Sequence, residues 1–130
     1  MPTAKIFALR KIMDPIKTEL SDAIHECVSE ALKFPREKRL QRFFPMEEED
    51  YHYGSVDRTE KYTVIEITMF EGRSVETIKR LINSIYEKVP EATGIPRSDI
   101  DVLINELPRH AWGLQGSIGD EQSLGYSISV

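Results

Sequence analysis

The chain has 130 residues, 40% of them hydrophobic and 30% charged, as expected for one globular unit with a buried core. Its net charge of −5 argues against nucleic acid or an anionic membrane as a general partner. The single cysteine, Cys27, excludes an intrachain disulfide, and the chain has no apolar run long enough for a signal peptide or a span. We therefore expect a cytoplasmic protein.

The first predicted element is a strand over Thr3–Leu9, directly after Met1 and Pro2. If Met1 is removed, as is usual before a small second residue, Pro2 becomes an amino-terminal secondary amine that its ring holds in place. An α-amino group titrates near about pH 7.7–8.0, and burial beside a cation lowers this pKa. Pro2 is therefore a candidate base, although a proline after a start codon is most often without function.

An amphipathic helix follows from about Asp14 to Lys33, with Asp14 as the N-cap and Pro15 at the first helical position. A short extended segment, Arg39–Phe44, comes next. The second half repeats this order, with a strand over Lys61–Phe70 and a helix capped by Ser74 that runs to about Val89. A last strand is predicted over 101–107.

A shift of 61 residues aligns the two halves, including the apolar faces of both strands and both helices. The repeat predicts an α/β (α+β) fold of two fused β-α-β units. We expect a four-stranded mixed sheet with both helices on one face, because a crossover helix makes its flanking strands parallel. The chain is expected to be one domain, residues 1–130, with pseudo-repeats 1–60 and 61–110 and a tail over 111–130.

Two segments lie outside the repeat. Residues 46–60 contain the acidic run Glu47–Asp50 and are expected to be a solvated loop. The tail is expected to form turns and a short hairpin that ends in Tyr126–Val130 and docks on a neighbouring subunit. The other face of the sheet stays partly apolar (Phe7, Val64, Phe70 and Leu103), so a symmetric oligomer is expected.

Arg73 is the main candidate for binding a substrate. It stands between a strand and a helix, where open α/β sheets place ligands and where a guanidinium can hold a carboxylate through two hydrogen bonds. A solvated arginine beside an N-cap is the common alternative. The three histidines show no metal-ligand spacing, so no metal site is predicted, and Cys27 lies on the buried helix face, where a thiol is inert.

The Met-Pro start, the β-α-β units and the segment Glu71-Gly72-Arg73-Ser74 together resemble the tautomerase superfamily, built on 4-oxalocrotonate tautomerase-like units. The doubled length and the segments 34–41 and 111–116 are most similar to its malonate semialdehyde decarboxylase-like branch. The resemblance implies the tautomerase/MIF-like fold, a homotrimer, no cofactor and an amino-terminal proline in each site.

Within that resemblance, Pro2 matches the catalytic proline and Arg73 the arginine that binds the substrate carboxylate. Trp112 matches an aromatic wall residue, and Leu114 stands where the decarboxylase-like branch has phenylalanine. The chain departs from the branch at two positions. Lys38 replaces an aspartate that works with the proline, and Glu71 replaces a second arginine. Lys38 and Arg39 are candidates for an added cation near the site.

The first functional hypothesis is a cofactor-independent keto–enol tautomerase that acts on a small 2-oxo acid, with Pro2 as base, Arg73 on the carboxylate, and Trp112 and Leu114 excluding water. Two alternatives remain open. One is a decarboxylase or hydratase of a 3-oxo acid, in which the proline is a cation. The other is a trimeric scaffold without catalysis.

Overall fold

The computed structural model describes residues 2–130; Met1, on whose removal the proline hypothesis depends, lies outside the described residues. The elements are β1 (Thr3–Leu9), α1 (Arg10–Leu32), β2 (Gln41–Met46), β3 (Thr63–Phe70), α2 (Val75–Thr93), β4 (Ile100–Leu107), β5 (Gly113–Leu114) and β6 (Ser117–Ile118).

The four long strands form one mixed sheet in the order β2-β1-β3-β4, and β5 pairs with β6 in a small hairpin. Each crossover helix joins two parallel strands, β1 to β2 and β3 to β4, whereas the central strands β1 and β3 are antiparallel. The predicted architecture of two β-α-β units in one mixed sheet is therefore confirmed.

The core lies between the sheet and the two helices, which pack against each other on one face. Alternate residues of β1 and β3 point into it, and the apolar stripes of α1 and α2 cover them. The largest fully buried side chains there come from both strands and both helices: Ile6, Met13, Leu20, Ile24, Leu32, Ile65, Ile67, Met69, Leu81 and Ile85. This alternation is why the repeat could be recognised in the sequence.

The first helix begins earlier than the sequence pattern indicated. α1 starts at Arg10, directly after β1, so Pro15 lies inside the helix rather than at its first position. Proline there removes one backbone hydrogen bond. Met13 is completely buried, and the burial of its side chain stabilises the fold by about 1.5–3 kcal/mol, which offsets this loss. The exposed ion pair between Arg10 Nε and Glu47, at 2.8 Å, adds little.

The second helix begins as predicted. Ser74 is the N-cap of α2, and its Oγ accepts a hydrogen bond from the backbone N–H of Thr77 at 3.1 Å. Pro90 lies inside this helix, which continues to Thr93 and ends at Gly94. The cap fixes the direction in which the chain leaves β3, and therefore the position of the residue before it, Arg73.

The tail differs from its prediction. The hairpin is formed by β5 and β6, and Tyr126–Val130, predicted to end a hairpin, form no strand. Phe70 is covered by the tail of its own chain, through Trp112 and Arg109. The last residues also pack on this chain, since the Ser74 backbone N–H donates to the Val130 carbonyl at 2.9 Å. Neither of the two helices in the described part is long and apolar enough to cross a membrane.

Replacing Ser74 by alanine is expected to lower the free energy of unfolding by about 0.5–2 kcal/mol, because the Thr77 N–H loses its acceptor. Urea denaturation followed by circular dichroism measures the change. Ser55→Ala is the matched control, since Ser55 lies in an exposed turn. Equal midpoints for the two variants would contradict the capping role.

Candidate active site

Pro2 lies immediately before the central strand β1. It is buried, and the next residues pair with both neighbours: Thr3 with Thr68 of β3, and Ala4 with Gln41 of β2. The Ala4 N–H also donates to the Leu40 carbonyl at 3.0 Å. Pro2 therefore lies at the end of a central strand that is paired on both sides.

A small cavity of about 10 Å³ adjoins Pro2. Its lining comes from β1, β3, α1 and the segment before β2: Pro2, Thr3, Ala4, Ile24, His25, Val28, Phe34, Lys38, Leu40, Gln41 and Ile67. A space of this size holds about one water molecule. Apolar side chains together with Thr3, His25, Lys38 and Gln41 thus form the immediate surroundings of Pro2.

Arg73 is positioned by the turn between β3 and α2. Its side chain is 6% exposed, and Nη1 donates to the Phe70 carbonyl at 3.1 Å. Among residues 2–130, Nε and Nη2 have no hydrogen-bond partner. Burial lowers the pKa of Arg73, although the nearby Tyr126 and Glu106 oppose this. The guanidinium therefore presents a free, desolvated edge, the geometry that suits a carboxylate.

The sheet register brings Pro2 and Arg73 to the same edge. Because β1 and β3 are antiparallel and Thr3 pairs with Thr68, one further step places Pro2 opposite Met69. The carbonyl of the next residue, Phe70, accepts the Arg73 hydrogen bond. Pro2 and the turn that carries Arg73 thus lie at the same end of the central strand pair, although 71 positions separate the two residues in the sequence.

Lys38 lies in the segment before β2 and lines the cavity beside Pro2. Two hydrogen bonds shape this segment: His25 Nε2 donates to the Arg36 carbonyl at 2.6 Å, and the Lys38 N–H donates to the Pro35 carbonyl at 3.1 Å. These contacts hold the ammonium-bearing residue against the start of β1.

Arg39, the neighbouring candidate, turns the other way. Its Nη1 contacts Asp22 at 2.7 Å and Ser21 at 3.1 Å on the surface of α1. The structure therefore brings Lys38, but not Arg39, to Pro2.

Trp112 and Leu114 lie in the tail. Trp112 packs edge-on against Phe70, with ring centroids 5.1 Å apart, and the Leu114 carbonyl accepts a hydrogen bond from Gln122. Phe70 alternates with the core residues of β3 and faces away from the helices. The described contacts of both candidates are therefore with Phe70 and the tail rather than with Pro2 or Arg73.

Sequence reasoning missed Tyr126. Its ring packs edge-on against Phe34, with centroids 5.0 Å apart, and lies 5.8 Å from Lys38 Nζ and 6.0 Å from Arg73 Cζ. Burial raises the pKa of Tyr126, while the Arg73 charge opposes the shift. The only signal in the sequence was an aromatic residue within a glycine- and serine-rich tail. The described residues contain no group of three or more His, Cys, Asp and Glu that could hold a metal.

A family model described as "tautomerase enzyme" matches residues 38–115. The chain belongs to the tautomerase family. The 2-hydroxymuconate tautomerase of Pseudomonas putida is 37% identical over 51 residues, which cover 39% of this chain and 81% of that enzyme. A probable tautomerase of Ralstonia nicotianae is 36% identical over 53 residues, covering 41% and 76% of the two chains.

Solved tautomerase-like structures share the fold over nearly the whole chain. Native fused 4-OT matches with a TM-score of 0.81 at 19% identity, covering 91% of this chain and 96% of that one. FG41 malonate semialdehyde decarboxylase matches with a TM-score of 0.76 at 23% identity, covering 85% and 87%. A further fused 4-OT, described as a symmetric trimer, matches with a TM-score of 0.77 at 16% identity, covering 92% and 99%.

In this tautomerase-family chain, Gly119 holds the hairpin that carries Trp112. A Cβ on Gly119 would lie 2.5 Å from the Arg109 carbonyl oxygen and 3.0 Å from that of Trp112. Gly119→Ala is therefore expected to lower the free energy of unfolding by about 1–3 kcal/mol. Thermal unfolding with Trp112 fluorescence measures this change.

Gly54→Ala is the matched control for this prediction, because a Cβ at Gly54 would meet only an ordinary contact, 3.5 Å from Asp57 Oδ1. A Gly119→Ala protein as stable as the Gly54→Ala protein would refute the steric argument.

Proposed function

We propose that the chain catalyses keto–enol tautomerisation of a small 2-oxo acid, with the Pro2 nitrogen as general base once Met1 has been removed. The observation that carries the proposal is the free, buried Nε–Nη2 edge of Arg73 at the sheet edge where Pro2 lies. Such an edge can hold a carboxylate through two parallel hydrogen bonds. Membership of the tautomerase family supports the same class of reaction.

In the proposed reaction, the neutral Pro2 nitrogen takes the proton of the enol hydroxyl. The O–H electron pair becomes the carbonyl π bond, and the enol C=C pair takes a proton back from the prolinium at carbon. No atom is gained or lost. Arg73 holds the carboxylate next to the reacting carbonyl and stabilises the negative charge that develops during proton transfer.

The positive charge of Lys38 favours the neutral, basic form of the Pro2 amine over its protonated form. A positive charge near an amine disfavours protonation of that amine and lowers its pKa. The segment that lines the Pro2 cavity carries an ammonium where the decarboxylase-like branch is expected to have an aspartate. We therefore place the tautomerase ahead of the decarboxylase or hydratase, which needs a cationic proline.

The proposed assembly is a homotrimer, by likeness to the fused 4-OT that is described as a trimer. Phe7 and Phe44 stack 4.8 Å apart on the sheet face away from the helices, and Leu103 on the same face is 45% exposed. An exposed apolar surface of this kind is suited to contacts between subunits.

Replacing Pro2 by alanine is expected to lower turnover of phenylenolpyruvate and of 2-hydroxymuconate by about 10²–10⁴-fold, the usual contribution of general acid–base catalysis. The enol absorbance follows the reaction. Intact mass should show that Met1 is absent from the active wild-type protein.

Pro96→Ala is the matched control for this substitution, because Pro96 is exposed and lies in the connection between α2 and β4. Full turnover by the Pro2→Ala protein, or an active wild-type protein that retains Met1, would overturn the mechanism.

The pH dependence of Pro2 distinguishes the two reactions. The acetylenic acid 2-oxo-3-pentynoate labels a neutral amine: nitrogen bonds to the alkyne carbon remote from the ketone, and the N–H proton moves to the adjacent carbon. We expect the labelling rate to rise with a midpoint below about pH 7.7, the usual value for an α-amino group. A midpoint above about pH 8 would instead favour the cationic proline of a decarboxylase.

A further inference from the structure

The last residues of the chain, Gly125–Val130, form a segment that we call the C-terminal strap. Two contacts fasten it to the turn that carries Arg73. The Val130 carbonyl accepts a hydrogen bond from the Ser74 N–H at 2.9 Å. Ile128 lies against Gly72, where a Cβ would be 3.3 Å from the Ile128 Cδ1 atom. Gly72 has φ of +131°, so the chain uses glycine there both for its backbone conformation and for the close approach.

The strap brings Tyr126 close to both Lys38 and Arg73. Its ring is 5.8 Å from Lys38 Nζ and 6.0 Å from Arg73 Cζ, and it packs on Phe34. Phe34 and Lys38 both line the cavity beside Pro2. Tyr126 therefore packs against a residue of the Pro2 cavity, Phe34, and lies close to Lys38 and Arg73, although it is far from all three in the sequence.

Three buried polar atoms in this place have no well-formed hydrogen bond among residues 2–130: Tyr126 Oη, Arg73 Nε and Arg73 Nη2. The Arg73 guanidinium lies close enough to the Tyr126 oxygen to affect the pKa of both groups, but the hydroxyl proton of Tyr126 remains free to donate. An unpaired buried polar atom costs about 1–3 kcal/mol, so three adjacent ones need a common explanation. All three can donate a hydrogen bond. The hydroxyl stays protonated near neutral pH because burial raises the pKa of Tyr126.

A carboxylate satisfies this set of donors. Its two oxygens offer about four acceptor positions, enough for the guanidinium edge and one hydroxyl. A ketone, an ester or an alcohol offers a single strong acceptor or brings a donor of its own. Arg73 Nη1 is not available, since it donates to the Phe70 carbonyl. The donors that remain are therefore the Nε–Nη2 edge of Arg73 and the Tyr126 hydroxyl, a number that one carboxylate can accept.

We propose that Tyr126 is a substrate-binding residue that donates its hydroxyl proton to the substrate carboxylate together with Arg73. This rests on the proposed function, because it assigns the carboxylate to the same site. The pair makes the site selective for a free 2-oxo acid over the corresponding ester or simple ketone, and the C-terminal strap is the part of the fold that supplies this selectivity.

The test compares Tyr126→Phe with wild type in the full chain. This variant keeps the ring and its contact with Phe34 but removes the hydroxyl. Two reagents are used to label Pro2: 2-oxo-3-pentynoate, which carries a carboxylate, and 3-butyn-2-one, which does not. Intact mass and peptide mapping measure the rate and the site of labelling.

Labelling of the Tyr126→Phe protein by 2-oxo-3-pentynoate is expected to be about tenfold less efficient, through a weaker apparent affinity, as for loss of one hydrogen bond to a charged group. Its labelling by 3-butyn-2-one is expected to be unchanged. Arg73→Lys should follow the same pattern with a larger loss, because it removes the paired donors. With phenylenolpyruvate, Tyr126→Phe should raise KM more than it lowers kcat.

Tyr53→Phe is the matched control. Tyr53 is half-buried, and its ring packs beside Tyr62, 6.5 Å between centroids, away from the site. It should match wild type with both reagents.

Three results for the Tyr126→Phe protein would overturn the assignment. The first is labelling by 2-oxo-3-pentynoate at the rate of the Tyr53→Phe protein. The second is an equal loss with both reagents, which would indicate a structural role, and the third is faster labelling, which would mean that the Tyr126 hydroxyl obstructs the site. Wild-type protein that neither reagent labels at Pro2 would instead refute the proposed function.

Discussion

The antiparallel pairing of β1 and β3 is the constraint on which the candidate site depends. Each β-α-β unit by itself is a local structure, with its two strands parallel and joined by a helix. Within the sheet, only the central pair joins the units, and its strands run in opposite directions, so the start of β1 meets the end of β3. For that reason Pro2 and the turn that carries Arg73 lie at the same end of the sheet. A parallel central pair would have put them at opposite ends of the sheet.

The two halves of the chain are alike in fold but not in chemistry. Under the shift of 61 residues, Thr63 corresponds to Pro2 and Ile12 to Arg73. The Thr63 nitrogen is a backbone amide and cannot act as a base. Its hydroxyl donates to the Lys61 carbonyl at 2.9 Å. Ile12 offers no charge. The second copy of the site therefore lacks both the base and the cation, and the proposed catalysis uses one site per chain.

At the other end of the β1–β3 pair, tyrosine hydroxyls form hydrogen bonds within the chain. Tyr51 lies there, and its hydroxyl contacts the Phe7 and Tyr62 carbonyls at 3.1 and 3.0 Å. Tyr62 in turn donates to Asp101 at 2.7 Å, and burial together with that carboxylate raises the pKa of Tyr62 to about 12. The loop between β2 and β3, expected to be solvated, thus returns to the sheet. The Tyr51 and Tyr62 hydroxyls at this end have partners, and among the described residues only Arg58 Nε there is buried without one.

The sequence by itself determined the two β-α-β units, because strand alternation and helical spacing are local periodicities that repeat in both halves. It also determined the Ser74 cap and the candidacy of Pro2 and Arg73, since each depends on residue type and on position relative to an element. The start of α1 at Arg10 was missed because proline usually begins a helix, and the burial of Met13 outweighed that preference. Only the tertiary structure decided that Lys38 faces Pro2 while Arg39 turns to Asp22, and that Tyr126 stands beside Arg73. These are contacts between distant parts of the chain, and the register and the path of the tail that create them leave no periodic signal in the sequence.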